Sequence, residues 1–197
     1  NQGGGGAGQD SPSLASGGGG GGYGAPGETA ANPGNGAGAG KGGEVYGDDA
    51  LTVLHLGSGG GSGAGDDNGS GSRTHGPGGD GGGAVRIVAE EIEAQGAILA
   101  NGSPGAASKC LSGSCPGCDD GGSGGGSGGS IHLRARILDL TGAVHAKGGA
   151  AGNGHHDGSS VSGTAVSYRG GAGGSGRIRL DAVDVEASSD VSPLAGF

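Results

Sequence analysis

The chain has 197 residues, 59 of them glycine, with seven proline, three tyrosine, one phenylalanine and neither tryptophan nor methionine. So much glycine without a strict Gly-X-Y period excludes collagen, and a formal charge of −9 excludes the basic surface that nucleic acid requires. No apolar run approaches the roughly 18 residues of a membrane-spanning helix, so no membrane span is expected. Asn rather than Met at position 1 fits a secreted chain whose signal peptide has been removed.

Residues 1–43 form a Gly-rich N-terminal segment: GGGGAG, GGGGGGYG and NPGNGAGAGKGG carry neither a helical nor a strand period. Such composition is ordinarily that of a flexible linker. The alternative is extended, polyproline-II-like strands, where missing side chains let neighbouring backbones approach and hydrogen-bond.

Residues 44–83 begin with EVYGDDALTVLHLG, whose apolar residues Val45, Tyr46, Leu51, Val53, Leu54 and Leu56 do not fit the repeat that follows. They read as an atypical first unit or cap, followed by a Gly-rich tract.

Residues 84–197 carry three β repeats starting near 84, 130 and 177. Val85, Ile131 and Ile178 open the copies at steps of 46 and 47 residues. In register follow Ile87, Leu133 and Leu180; Ala89, Ala135 and Ala182; Ile92, Leu138 and Val185; Ala94, Leu140 and Ala187; Ile98, Val144 and Val191. A seventh column, Ala100 and Ala146, ends in Pro193. Each copy opens with an alternating strand (AVRIVA, SIHLRA, RIRLDA), turns a corner, and adds two shorter strands. The fold expected is all-β: one domain of parallel β-helix or solenoid-like coils, with aliphatic columns stacked about 4.8 Å apart. The tracts 58–83, 102–129 and 148–176 are too long for ordinary loops and are expected to pack beside the coils.

Two outward columns are charged: Arg86, His132 and Arg179 in one, Glu93, Asp139 and Glu186 in the other. Like charges stacked on neighbouring strands are unfavourable, so either glycine layers separate the coils or, the arrangement expected here, the two rows lie side by side and neutralise each other.

VYGDDAL followed by GSGGGSG, then GGGAVRIVAEEIEAQGAILANG, GGSGGSIHLRARILDLTGAVHAKGG and GGSGRIRLDA, together resemble the Gly-rich repeat regions of large secreted bacterial proteins, notably of myxobacteria and their relatives. The resemblance spans residues from about 17 to 187. It implies an extracellular or surface structural module and carries over no catalytic residue.

Three cysteines lie in KCLSGSCPGCDD. A disulfide between Cys115 and Cys118 would close across the Pro-Gly turn, leaving Cys110 for a bond to another subunit. A loop staple from Cys110 to either partner is the alternative. Zinc lacks a nearby fourth ligand, and Asp119 stands where a c-type haem site needs His. Asp66, Asn68, Ser70 and Gly71 match the opening of a calcium loop, although Pro77 occupies the twelfth position where Glu is expected. His155, His156 and Asp157 could bind a transition metal, or be simply solvated. Paired acids at 48–49, 66–67, 90–91 and 119–120 suit glycoside hydrolysis poorly, since adjacent side chains on a strand point to opposite faces.

The function expected is therefore that of a non-enzymatic extracellular structural protein, without cofactor unless calcium binds. It self-associates into a homo-oligomer, filament or surface layer, with Leu194 and Phe197 of the apolar tail taking part. The alternative is an adhesin for glycans or surfaces, with Tyr23, Tyr46 and Tyr168 to stack on sugar rings. A carbohydrate-active β-helix enzyme is a second alternative, lacking an acid pair.

Overall fold

A computed structural model describes residues 3–11, 14–31, 38–65, 73–74, 76–110, 119–156, 168–187 and 190–196. Its strands are β1 (Asp10–Ser11), β2 (Leu14–Ala15), β3 (Arg73–Thr74), β4 (Ala84–Val88), β5 (Glu91–Ala94), β6 (Ile98–Leu99), β7 (Lys109–Cys110) and β8 (Asp119–Asp120). Then come β9 (Ser130–Arg134), β10 (Ile137–Leu140), β11 (Val144–His145), β12 (His155–His156), β13 (Arg177–Asp181), β14 (Asp184–Ala187) and β15 (Val191–Ser192). The described chain is all-β.

The three copies stack as three parallel sheets, in the orders β13-β9-β4, β14-β10-β5 and β15-β11-β6. Every apolar column that lies on a strand meets itself. Val85 pairs with Ile131 and Ile131 with Ile178; Ile87 pairs with Leu133 and Leu133 with Leu180. Leu138 pairs with Ile92 and Val185, and Val144 with Ile98 and Val191. The reason is the two-residue period of a strand: a slip of one position would turn each apolar set outward. The core comprises Ile92, Ala100, Ile131, Leu133, Leu138, Leu140, Val144, Ala146, Ile178 and Leu180. The described residues do not close into a β-helix; each copy runs out of the sheets into glycine tracts.

These tracts hydrogen-bond with a period of three. The amides of Gly121, Gly124 and Ser127 donate to the carbonyls of Ala64, Gly61 and Ser58. Those of Gly122, Gly125 and Gly128 donate to Tyr168, Gly171 and Gly174, and those of Ser123, Gly126 and Gly129 to Ala106, Ser103 and Ala100. The carbonyls of the same tract accept from three further tracts, through Gly18 and Gly21, Gly79 and Gly82, and Gly149 and Gly152. Three residues per turn is the period of polyproline II, and it aims successive peptide groups at successive neighbours. Residues 119–133 are buried without interruption.

Residues 16–23 are surrounded in the same way, bonding to tracts at 3–6, 25–28, 40–46, 61–64, 122–125 and 171–174. The bonding pattern arranges ten tracts in three layers. The outer layers are 3–8, 57–64 and 76–83 on one side, and 25–31, 168–176 and 146–153 on the other. The middle layer is 38–46, 15–23, 119–129 and 100–106. Only glycine permits this spacing at the centre: a Cβ at Gly124 would lie 1.9 Å from the carbonyl oxygen of Gly19. Where serine is buried, its hydroxyl joins the network: Ser123 Oγ donates to Gly76 O at 2.6 Å and accepts from Gly63 N–H at 3.1 Å.

Residues 44–57 are attached to the sheets, and one expectation needs correction. His55 N–H donates to Ser130 Oγ at 3.2 Å and Ser130 Oγ donates to His55 O at 2.7 Å, which holds this segment beside the start of β9. The charged rows do form in register, but they lie on different sheets and are not joined by ion pairs among the described residues. His132 and Arg179 both bind Asp181, while Arg136 binds Glu90.

Candidate functional site

The two ends of the stack differ. At one end β4, β5 and β6 are edge strands, and no described backbone group outside β9 pairs with β4. Ile87 is 38 % exposed, Val88 62 % and Leu99 54 %, although Leu133, on the strand beside Ile87, is fully buried. A free parallel edge bearing aliphatic side chains is a template for another strand.

At the other end the edge of β13 is occupied. Leu180 N–H donates to Gly196 O at 3.0 Å and Gly196 N–H donates to Ile178 O at 2.9 Å, a parallel bridge at Arg179. Ala195 packs on the core, whereas Leu194 is 92 % exposed. Between this tail and the glycine bundle lies a gap of about 350 Å³ lined by Gly24, Asp49, Arg177 and Pro193 among others. β14 and β15 have no such cover among the described residues; Val185 is 36 % exposed.

Polar links tie the third copy to the second. His132, buried, lies 2.8 Å through Nε2 from Asp181 Oδ2, and Arg179 holds the other oxygen of that carboxylate at 2.8 Å. His145 Nε2 lies 2.7 Å from Asp190 Oδ1. Hydrogen bonds from Arg179 and then His132 hold the Asp181 carboxyl below the usual carboxylate range. The bond from His145 does the same for Asp190.

An aromatic cluster joins the bundle to the sheets. Tyr23 and Tyr46 lie 4.8 Å apart, with His55 edge-on to both. Arg177 sits 5.6 Å above the Tyr23 ring, donates to Tyr46 O and pairs with Asp49. Tyr23 OH donates to Ser130 Oγ at 2.6 Å, and burial raises its phenol above the ordinary value. An open cleft of about 540 Å³ beside this cluster is lined by Tyr46, Leu54, His55, Leu56 and Ser58.

Of the residues singled out by sequence, Asp66, Asp67, Asn68, Ser70, Gly71, Cys115, Cys118, Asp157 and Phe197 lie outside the described residues. Cys110 stands in β7, paired with Arg73 of β3. His155 and His156 pair with Asp120 and Asp119 across β12 and β8. Both of these aspartates are buried, and Tyr168 OH donates to Asp119 Oδ2 at 3.3 Å. Burial and the Asp119 charge push the Tyr168 phenol up to about 12. Among the described residues no group of three His, Cys, Asp or Glu side chains is gathered for a metal, and no helix is long and apolar enough to cross a membrane.

Tyr23 and Tyr168 are 0 % and 2 % exposed, so of the three tyrosines only Tyr46 lines the open cleft. Glu91, Asp139, Asp184 and Glu186 line a second groove of about 490 Å³ over β5, β10 and β14. Sequence reasoning missed Gly196 as an edge partner and the pairing of Asp181 and Asp190 with histidines one repeat away. The spacing of those pairs, 49 and 45 residues, close to the repeat length, was the available signal. No family model, no curated protein and no solved structure matches this chain.

Proposed function

We propose that the protein is a non-enzymatic structural module of the extracellular space or cell surface, built to self-associate into a filament or layer. One observation carries this: the free edge of β4 bears the apolar columns that are buried when a further copy lies against them. The coils behave as a short solenoid, and the glycine tracts as polyproline-II-like struts that stiffen it. The Gly-rich secreted proteins that the sequence resembles support the location. No catalytic role, nucleic-acid partner or resident cofactor is proposed.

Negative-stain microscopy and sedimentation of the purified chain test this reading. Filaments, sheets or a concentration-dependent rise in sedimentation coefficient are the expected result; a persistent monomer across the accessible range would overturn it.

The cleft beside Tyr46 and His55 favours a second reading, a glycan-binding adhesin, because aromatic and hydroxyl groups line one open concavity. Binding on a glycan array that is lost in Tyr46→Ala would favour it over assembly.

A further inference from the structure

We infer that the chain associates head to tail through a second copy of itself, and that residues 193–196 act as a guard on the receiving edge. This rests on the self-association proposed above and names its two surfaces. The first is the β4, β5 and β6 end together with the outer bundle layer 3–8, 57–64 and 76–83. The second is the β13, β14 and β15 end together with the opposite layer 25–31, 168–176 and 146–153.

Three observations carry it. Continuity comes first. β4 continues from tract 76–83, β9 from 121–129 and β13 from 168–176, and these tracts run side by side through the bonds Gly79 to Gly124 and Gly125 to Gly171. Among the described residues no tract takes the next position along that line, so a further copy placed there repeats the internal step. Its Val85 would meet Ile178, its Ile87 Leu180, its Ile92 Val185 and its Ile98 Val191, the columns already paired within the chain. The rows at Arg86 and Glu93 would meet Arg179 and Glu186, a like-charge stacking the chain already carries through His132 and Asp139.

The second observation is the flatness of the first layer. Its exposed positions are Gly4, Ala7, Gly59, Ser62, Pro77, Asp80 and Gly83, small apart from one proline and one acid, and missing side chains let another backbone approach closely. The opposite layer exposes acid and base together, Glu28 with Lys147 and Arg169, so the two layers are matched by shape rather than by charge.

The third is the tail. Gly196 takes, with two hydrogen bonds, the place on β13 that an incoming β4 would take. A short strand on an otherwise open edge is a known means of blocking edge-to-edge pairing. Its hold is shallow, with Leu194 almost fully exposed. The tail therefore regulates association rather than providing the contact.

Sedimentation velocity on four proteins tests this: the full chain, the chain ending at Ser192, that truncation with Ile87→Lys, and that truncation with Val85→Lys. Circular dichroism melts check that each is folded. The truncated chain is expected to associate at least about tenfold more tightly than the full chain, with both added substitutions reversing the gain about tenfold or more. A synthetic peptide of residues 191–197 added in excess should also reverse it.

Should truncation unfold the chain, Gly196→Pro, which removes the amide donated to Ile178, stands in for it. Assembly of the full chain that ignores Ile87→Lys and Val85→Lys overturns this interface while leaving self-association intact. A folded truncated chain that stays monomeric overturns both.

Discussion

Ile87 and Leu133 stand opposite each other on neighbouring parallel strands, in one column of the repeat, yet Ile87 is 38 % exposed and Leu133 fully buried. The difference is position in the stack. Leu133 has a strand on each side, Ile87 on one side only. Leu133→Ala is therefore expected to cost about 2–5 kcal/mol through lost transfer energy and a residual cavity. Ile87→Ala should cost well under half of that. Urea denaturation of both variants, at equal m-value, checks the contrast.

The glycine bundle predicts a similar contrast. At Gly124 a Cβ would lie 1.9 Å from a backbone oxygen, whereas at Gly83 nothing lies within 4 Å. Gly124→Ala should destabilise by about 1–3 kcal/mol or more, because backbone cannot move aside as a side chain can. Gly83→Ala should be neutral or stabilise by up to about 1 kcal/mol, by restricting the unfolded chain. Thermal melts of the two variants decide it.

Ser123 tests the hydroxyl contribution inside the bundle. Ser123→Ala leaves the Gly76 carbonyl and the Gly63 amide without the Oγ partner they now share. A loss of about 1–3 kcal/mol is expected. Ser123→Gly should fare no better, since it removes the same oxygen. Chemical denaturation measures both.

Stability should fall at both extremes of pH. Asp181 and Asp190 have lowered values in the folded chain, so their contribution is complete above the ordinary carboxylate value. It is lost as pH falls from about 4 through the lowered folded values, where the native state must take up protons. Tyr168 behaves oppositely: its phenol is raised to about 12. Between about pH 10 and 12 the unfolded chain releases this proton while the folded chain keeps it, so stability falls across that window. Melting temperature against pH should show both limbs. Tyr168→Phe should remove an ultraviolet ionisation phase near pH 12, and Asp190→Asn should shallow the acid limb.

The β columns were legible because side chains at a two-residue period, repeated every 46 or 47 positions, record which residues must face inward together. Val85, Ile131 and Ile178, or Ile92, Leu138 and Val185, could be aligned by chemistry alone, and so could the like-charged rows at His132 and Asp139. What those rows contact was not legible: the partner of Arg179 proved to be Asp181 on its own strand, because the acidic row lies around a corner on another sheet.

Segment 44–57 was recognisable as a departure from the repeat but not as a patch on β9. Its attachment runs through Ser130 and Tyr23, residues without an apolar pattern. Sequence by itself determined the all-β character, the repeat length and the register, since each is written in side chains. Tertiary structure decided the six-neighbour packing around Gly124 and the contact of Gly196 with β13. Both are made by peptide groups, and a peptide group is identical at every glycine.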